Sequence, residues 1–283
     1  MPLEMDSIIS EMNIKLNLHS SLVRSLASLA QGNLNSISRG VYVNTLKDLT
    51  TDNSDTLPIF TIMTESWEPY SFQKDGIVRG ISTDIFVAMM ERVGSTQGRK
   101  NIQILPWARA YLTIQNTSNT ILFTMTKTIE REKKFKWVGP IFEIEYKIYA
   151  LKKRKIKIDS YEDLKKYKIG TLRSDVVEEL LIKKTGLQVD DFERVSQNIM
   201  NTKKLFTGRI DLVPQSKDTT LVTCKEAGLN VNDLESVFKL DKKSMYFAFH
   251  KDTPDAVIKK FQKAYDDIKE EGKLAKIFKN YRK

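Results

Sequence analysis

From Pro58 onward the chain alternates short apolar strand signals with helix signals, and this alternation restricts it to an α/β architecture built from βα units. Ile59 to Met63 is a short apolar run. Gly76 and Gly80 bracket a turn, Ser82 is placed to cap the next helix, and Ile81, Ile85, Phe86, Met89 and Val93 make the buried stripe of that helix. NIQIL predicts another strand, and Pro106 is a natural first residue for the helix after it. Ile121, Leu122, Phe123 and Met125 predict a buried strand. After Pro140, EIEYKIYAL predicts one long strand suited to crossing between two bodies. The alternation then repeats: strand KIGTL, helix Ser174 to Lys184 closed by Gly186, strand Val189 to Phe192, helix Ser196 to Thr207 closed by Gly208, and strand IDLVP. ESVFKL and MYFAFH provide the return, with Ser244 to Phe249 a second crossing strand. A final helix starts near Pro254, docks through Val257, Phe261, Ala264, Tyr265 and Ile268, and is interrupted at Gly272. Repeated βα units imply parallel sheets with right-handed crossovers.

The 283 residues are enough for two bodies with separate cores. A hydrophobic fraction of 41 % beside 29 % charged residues describes a globular chain, and no apolar run approaches the roughly 18 residues of a membrane span. Cys224 is the single cysteine, which excludes an internal disulfide and reads as a buried small hydrophobe. His19 and His250 are the only histidines, without the close-spaced ligands of a zinc site, so neither a metal nor a cofactor is expected. The net charge of +10 comes from lysines scattered through KKRKIK, KKYK, KKTG and KNYRK, near acidic residues and without interleaved aromatics. They read as solvated faces, not a nucleic-acid surface. No Walker loop, GxGxxG, GxSxG or HExxH sequence is present, so no catalytic residue is assigned. Residues 1–56 read as a helix plus linker, and the interruptions at Asn13, Lys15, Asn17, His19 and Arg24 leave no secretory apolar core there.

Candidate binding residues gather where strands end. Thr126 and Thr128 follow the strand signal of Ile121 to Met125, and Arg131 comes one turn after Thr128. If Thr128 caps a helix, the guanidinium and the hydroxyls can face one pocket, a geometry suited to a carboxylate. Glu65, Trp67 and Tyr70 occupy the loop after the first strand, where Trp67 is either a stacking wall for a ligand or a core aromatic. Trp107 and Arg109 start a helix at a strand terminus; each can touch a ligand, or pack and pair locally. Asp175 reads as a helix cap.

Five segments, TESWEPYSF (64–72), DGIVRGISTDIFVAMMERVG (75–94), LPWARAY (105–111), TIEREKKFKWVGPI (128–141) and GRIDLV (208–213), resemble in order and spacing the bacterial extracellular solute-binding proteins of family 3. The likeness runs from about Leu57 to Tyr281. It implies a two-lobed periplasmic-binding-protein-like α/β fold, each lobe an open, mostly parallel sheet flanked by helices. Lobe 1 would comprise 57–146 and 246–283, and lobe 2 147–245. The implied function is extracytoplasmic capture of a small anionic ligand, amino-acid-like or an organic acid, by hinge closure, with delivery to the membrane permease of an ABC importer. A monomer is expected. The alternatives are the ligand-sensing input domain of a membrane receptor, coupled to a signalling module, and a dehydratase-like enzyme using Glu65. Family members that bind α-amino acids hold the ammonium with an aspartate five residues after the aspartate of a Gly-x-x-Asp-like segment. Here Asp211 is in that segment and Ser216 stands five residues on. Common α-amino acids are therefore expected to bind poorly, unless the amine is held by Glu65 or Asp218.

Overall fold

The computed structural model describes residues 57–281. The helix and linker expected for 1–56, and His19 with them, lie outside the described residues. Strands β1 (Thr61–Thr64), β4 (Ile102–Ile104) and β5 (Thr120–Thr126) pair in parallel in the order β4–β1–β5. Between them come a hairpin of β2 (Phe72–Lys74) and β3 (Ile77–Arg79), helix α1 (Ile81–Arg92) and helix α2 (Trp107–Asn116). Every residue of β5 is buried. A strand covered on both faces has no polar side to alternate with, which is why TILFTMT carries no charge.

The expected face of α1 is buried, and Phe86 fixes it to the sheet. Its ring stacks on Phe123 of β5 at 5.1 Å and lies 6.2 Å from Phe261 of helix α8 (Asp255–Glu270). Burying one such ring contributes about 1.5–3 kcal/mol. Gly272, with φ +72°, separates α8 from α9 (Lys273–Tyr281) as the sequence predicts. Among the described residues no helix is long and apolar enough to cross a membrane.

Two long strands, β6 (Phe135–Leu151) and β10 (Leu234–His250), run antiparallel along their whole length. Near its end β10 also pairs with β5, while β6 pairs with β9 (Val213–Ser216). Both strands exceed the sequence expectation. β6 begins at Phe135, ahead of the predicted Glu143, because the sheet absorbs the Gly139–Pro140 break: Val138 pairs with Phe247 and Phe142 with Met245, leaving 139–141 opposite Tyr246. The polar DKKS segment, between the ESVFKL and MYFAFH signals, stays within β10 through pairing with β6 and through ion pairs such as Lys239 with Glu145 and Lys242 with Glu143.

The remaining elements are helix α3 (Ile129–Glu132), helix α4 (Tyr161–Leu164), β7 (Ile169–Leu172), α5 (Val176–Thr185), β8 (Phe192–Val195), α6 (Asn198–Phe206) and α7 (Lys217–Ala227). β7 pairs in parallel with β8 and through Ile169 with Leu212. β8 starts later than predicted because the Asp191 carboxylate accepts from the Gln188 N–H at 2.7 Å and draws Val189–Asp191 into a capped turn. Cys224 is buried, as expected of a small hydrophobe. The mostly parallel sheets flanked by helices are those of a two-lobed periplasmic-binding-protein-like fold.

The loop carrying Glu65, Trp67 and Tyr70 is pinned from behind. Asp84, in the first turn of α1, accepts from Arg99 at 2.7 Å and from the Tyr281 hydroxyl at 2.6 Å, and that hydroxyl accepts from the Gly80 N–H at 3.0 Å. Gly80 has φ +124°, and a Cβ there would lie 2.3 Å from the Tyr70 carbonyl oxygen. Gly80→Ala should destabilise the fold by about 1–3 kcal/mol through backbone strain and displacement of this loop, seen as a lower urea midpoint with unchanged slope.

Candidate functional site

Strand ends from distant parts of the chain surround one small cavity of about 40 Å³. Glu65 and Trp67 reach it from the loop after β1, Thr124 and Thr126 from the end of β5, and Arg131 from α3. Facing them are Asp175 at the start of α5, Asn198 at the start of α6, and Gln215, Ser216 and Thr219 at the β9–α7 junction. Thr128 caps α3 as the sequence predicts, its hydroxyl accepting from the Arg131 N–H at 3.2 Å, and this directs Arg131 inward.

Arg131 is 1 % exposed. Its guanidinium carbon lies 4.7 Å from the Tyr111 ring centre and 5.5 Å from that of Trp107. Nε and Nη2 donate to the two oxygens of Glu179 on α5 at 3.1 and 2.8 Å, and Nη2 also donates to the Ser174 carbonyl at 3.3 Å. Trp107 Nε1 donates to the same carbonyl at 2.8 Å. The open anion clamp expected from sequence is thus largely occupied by the protein's own carboxylate. Nη1 alone is left, buried and without a partner. It has company: Trp67 Nε1, Thr124 Oγ1 and Gln215 Oε1 are also buried and unpartnered, and all four residues line the cavity. Leaving such groups unsatisfied costs roughly 1–3 kcal/mol each, so a cavity that collects them is built for a polar occupant.

Sequence reasoning missed Thr124. β10 shifts register between Tyr246 and Phe247, which pair with Met125 and Phe123, so Thr124 bulges out of the ladder with φ +65°. That conformation is rare for a β-branched residue and turns its hydroxyl to the cavity. Nothing in TILFTMT signals the bulge. Asp175 caps α5, accepting from Val177 N–H at 2.8 Å, and lines the cavity as well. Ser216 lines the cavity but also caps α7, accepting from the Thr219 N–H at 3.1 Å.

Two expected residues lie elsewhere. Arg109 is exposed and away from the cavity. Tyr70 sits behind Trp67, stacks on Phe142 at 4.3 Å and donates to Asp218 at 2.5 Å, which also engages the carboxylate considered as an alternative ammonium partner.

The two cavity carboxyls are poorly compensated. Burial, then repulsion from Asp175, pushes Glu65 up to about 8, with Arg131 offsetting part of the shift. Burial likewise raises Asp175 to about 6 against the Val177 N–H and Arg131, and raises the Tyr146 hydroxyl.

A two-lobed α/β protein with a screened, polar cavity at converging strand ends is a binding protein in form. The chain belongs to the bacterial extracellular solute-binding proteins, family 3, whose model matches residues 59–283. A search of curated proteins found no match. Among solved structures, the chain is similar to a histidine kinase sensor domain with similarity to periplasmic binding proteins (TM-score 0.70, 15 % identity, covering 81 % of this chain and 97 % of that one). It is also similar to the arginine-, lysine-, histidine-binding protein ArtJ from Geobacillus stearothermophilus (0.66, 18 %, 80 % and 95 %) and to an ancestral arginine-binding protein bound to arginine (0.65, 22 %, 78 % and 97 %).

The raised carboxyls make stability depend on pH with a definite sign. Glu65 at about 8 against an ordinary 4.5, and Asp175 at about 6 against 3.8, mean that the folded state binds more protons than the unfolded chain between those values. Their contribution is full below about pH 4 and is lost as pH rises to about 8. Melting curves of the ligand-free protein should show Glu65→Gln flattening the decline between about pH 6 and 8; equal slopes in variant and wild type would contradict the burial of Glu65.

Proposed function

We propose that the protein is the extracytoplasmic solute-capturing component of an ABC importer, acting as a monomer that closes two lobes, 57–146 with 246–283 and 147–245, over a small amino-acid-like solute. The observation that carries this reading is the set of unpartnered buried polar atoms, Arg131 Nη1, Trp67 Nε1, Thr124 Oγ1 and Gln215 Oε1, around one cavity. They ask for a ligand with an acceptor oxygen at Arg131, Thr124 and Thr126 and a donor at Gln215, a pattern that a carboxylate or carbonyl beside an amine supplies. Relatives in fold that bind arginine, lysine or histidine support the class of solute. Asp175 and Glu65 stand where an amine could be held without the aspartate that Ser216 replaces.

The raised carboxyl of Glu65 favours one second reading, a dehydratase-like enzyme, because an acid still protonated near neutral pH can deliver a proton to a leaving group. Turnover of a bound solute, abolished by Glu65→Gln with binding retained, would decide for it.

Native mass spectrometry of the purified protein, followed by a thermal-shift panel of amino acids, keto acids and hydroxy acids, tests solute capture directly. Neither a co-purified small molecule nor any stabilising compound would count against it. Arg131→Ala should weaken binding of the stabilising solute by about 2–5 kcal/mol, because both the acceptor oxygen and Glu179 lose their partner, and Arg131→Lys should recover only part of it, having no planar fork. Calorimetry giving wild-type affinity for Arg131→Ala would remove Arg131 from the site.

A further inference from the structure

The cavity does not end at the tryptophans. Glu65, Trp67 and Trp107 also line a wider outer chamber of about 480 Å³, joined there by Glu68, Phe72 and Glu226. The inner cavity, about 40 Å³, has room for a few non-hydrogen atoms only, since one water needs about 10–15 Å³ by the same measure. An amino-acid-like solute seated in it must extend outward.

The charges along that path have one sign. The chain as a whole carries +10, yet the described residues lining the outer chamber include Glu65, Glu68 and Glu226 and no lysine, arginine or histidine. None of these three acidic groups has an ion-pair partner among the described residues; Glu68 and Glu226 carry the charge, while Glu65, held protonated near neutral pH by burial, offers its carbonyl oxygen as an acceptor. Inside, Glu65 is joined by Asp175, while the one cation, Arg131, is already matched by both oxygens of Glu179. The acidic path leads to buried groups that await a ligand: Gln215 and Thr124 are 4 % and 3 % exposed, and Gln215 Oε1 and Thr124 Oγ1 are unpartnered.

We propose that the captured solute is a net-cationic organic molecule: its polar head seats in the inner cavity, its stem lies against Trp67 and Trp107, and an ammonium or guanidinium group faces Glu65, Glu68 and Glu226. This rests on the solute capture proposed above and names the charge of its ligand. It departs from the anionic solute expected from Arg131 alone, because Glu179 has taken up that charge. The unpaired carboxylates Glu68 and Glu226 beside the aromatic lining attract a cation by Coulomb force and repel an anionic tail.

Titration calorimetry on the full chain with matched pairs tests it: L-arginine against L-citrulline, L-lysine against Nε-acetyl-L-lysine, and L-glutamate as the acid. At least one cation should bind about tenfold or more tighter than its neutral counterpart, with glutamate weakest. The double variant Glu68→Gln with Glu226→Gln should narrow that ratio. A neutral member or glutamate binding as tightly as the cations would overturn the charge assignment and leave solute capture standing. If no member binds at millimolar concentration the charge assignment also falls, and capture is then judged separately by the mass of any co-purified solute.

Discussion

A guanidinium that is 1 % exposed cannot sit between Trp107 and Tyr111 without a partner, and its carboxylate partner, Glu179, comes from the opposite face of the cleft. The strand ends are held together around that pair. Ser174, in a left-handed conformation at φ +60°, turns its carbonyl toward both Trp107 and Arg131, and Tyr70 reaches Asp218 beyond them. Separating the two faces would rehydrate both charges, so the net gain from pairing is far smaller than its Coulomb energy. A contact of that kind fits the proposed hinge closure: it would select one closed geometry without locking it, and a solute would shift the balance by whatever it adds in the closed form.

The rest of the fold carries the two faces to each other. β6 and β10 stay paired over their full length, with register shifts between Ser236 and Phe238, between Lys239 and Asp241 and between Met245 and Phe247. Such shifts bend and twist a ladder locally without ending it. Two continuous strands with bulges supply the mechanical basis for the hinge in the proposed function. The last of these shifts has a second consequence, since β5 meets it with the bulge that exposes Thr124 to the cavity.

Much of this was legible in the residues. The alternation of strands and helices, the buried stripe of α1, the break at Gly272 and the cap at Thr128 all follow from local chemistry, and the rule that open sheets gather function at strand ends led to Glu65, Trp67, Trp107, Thr126 and Arg131, which the structure brings to one cavity together with Ser216, a residue reached only through the family likeness. What was not legible depends on partners far along the chain. Glu179 lies 48 residues from Arg131 and reads as an ordinary acidic side chain in the first turn of α5. Tyr70 reads as a loop aromatic until Phe142 stacks on it. The charge of the solute depends on the same kind of distant partner: the anion that Arg131 implies in its motif has to share the guanidinium with Glu179.

The central claim is that the two faces joined by Arg131 and Glu179 enclose a solute between them. Spin labels on cysteines replacing Leu112 of α2 and Met200 of α6, both exposed, in a Cys224→Ser background, report the separation of the faces by electron–electron resonance. With the co-purified solute at saturation the account predicts one narrow, short distance, and with Glu179→Ala in the absence of solute a longer and broader distribution. A distribution that neither solute nor Glu179→Ala moves would contradict it.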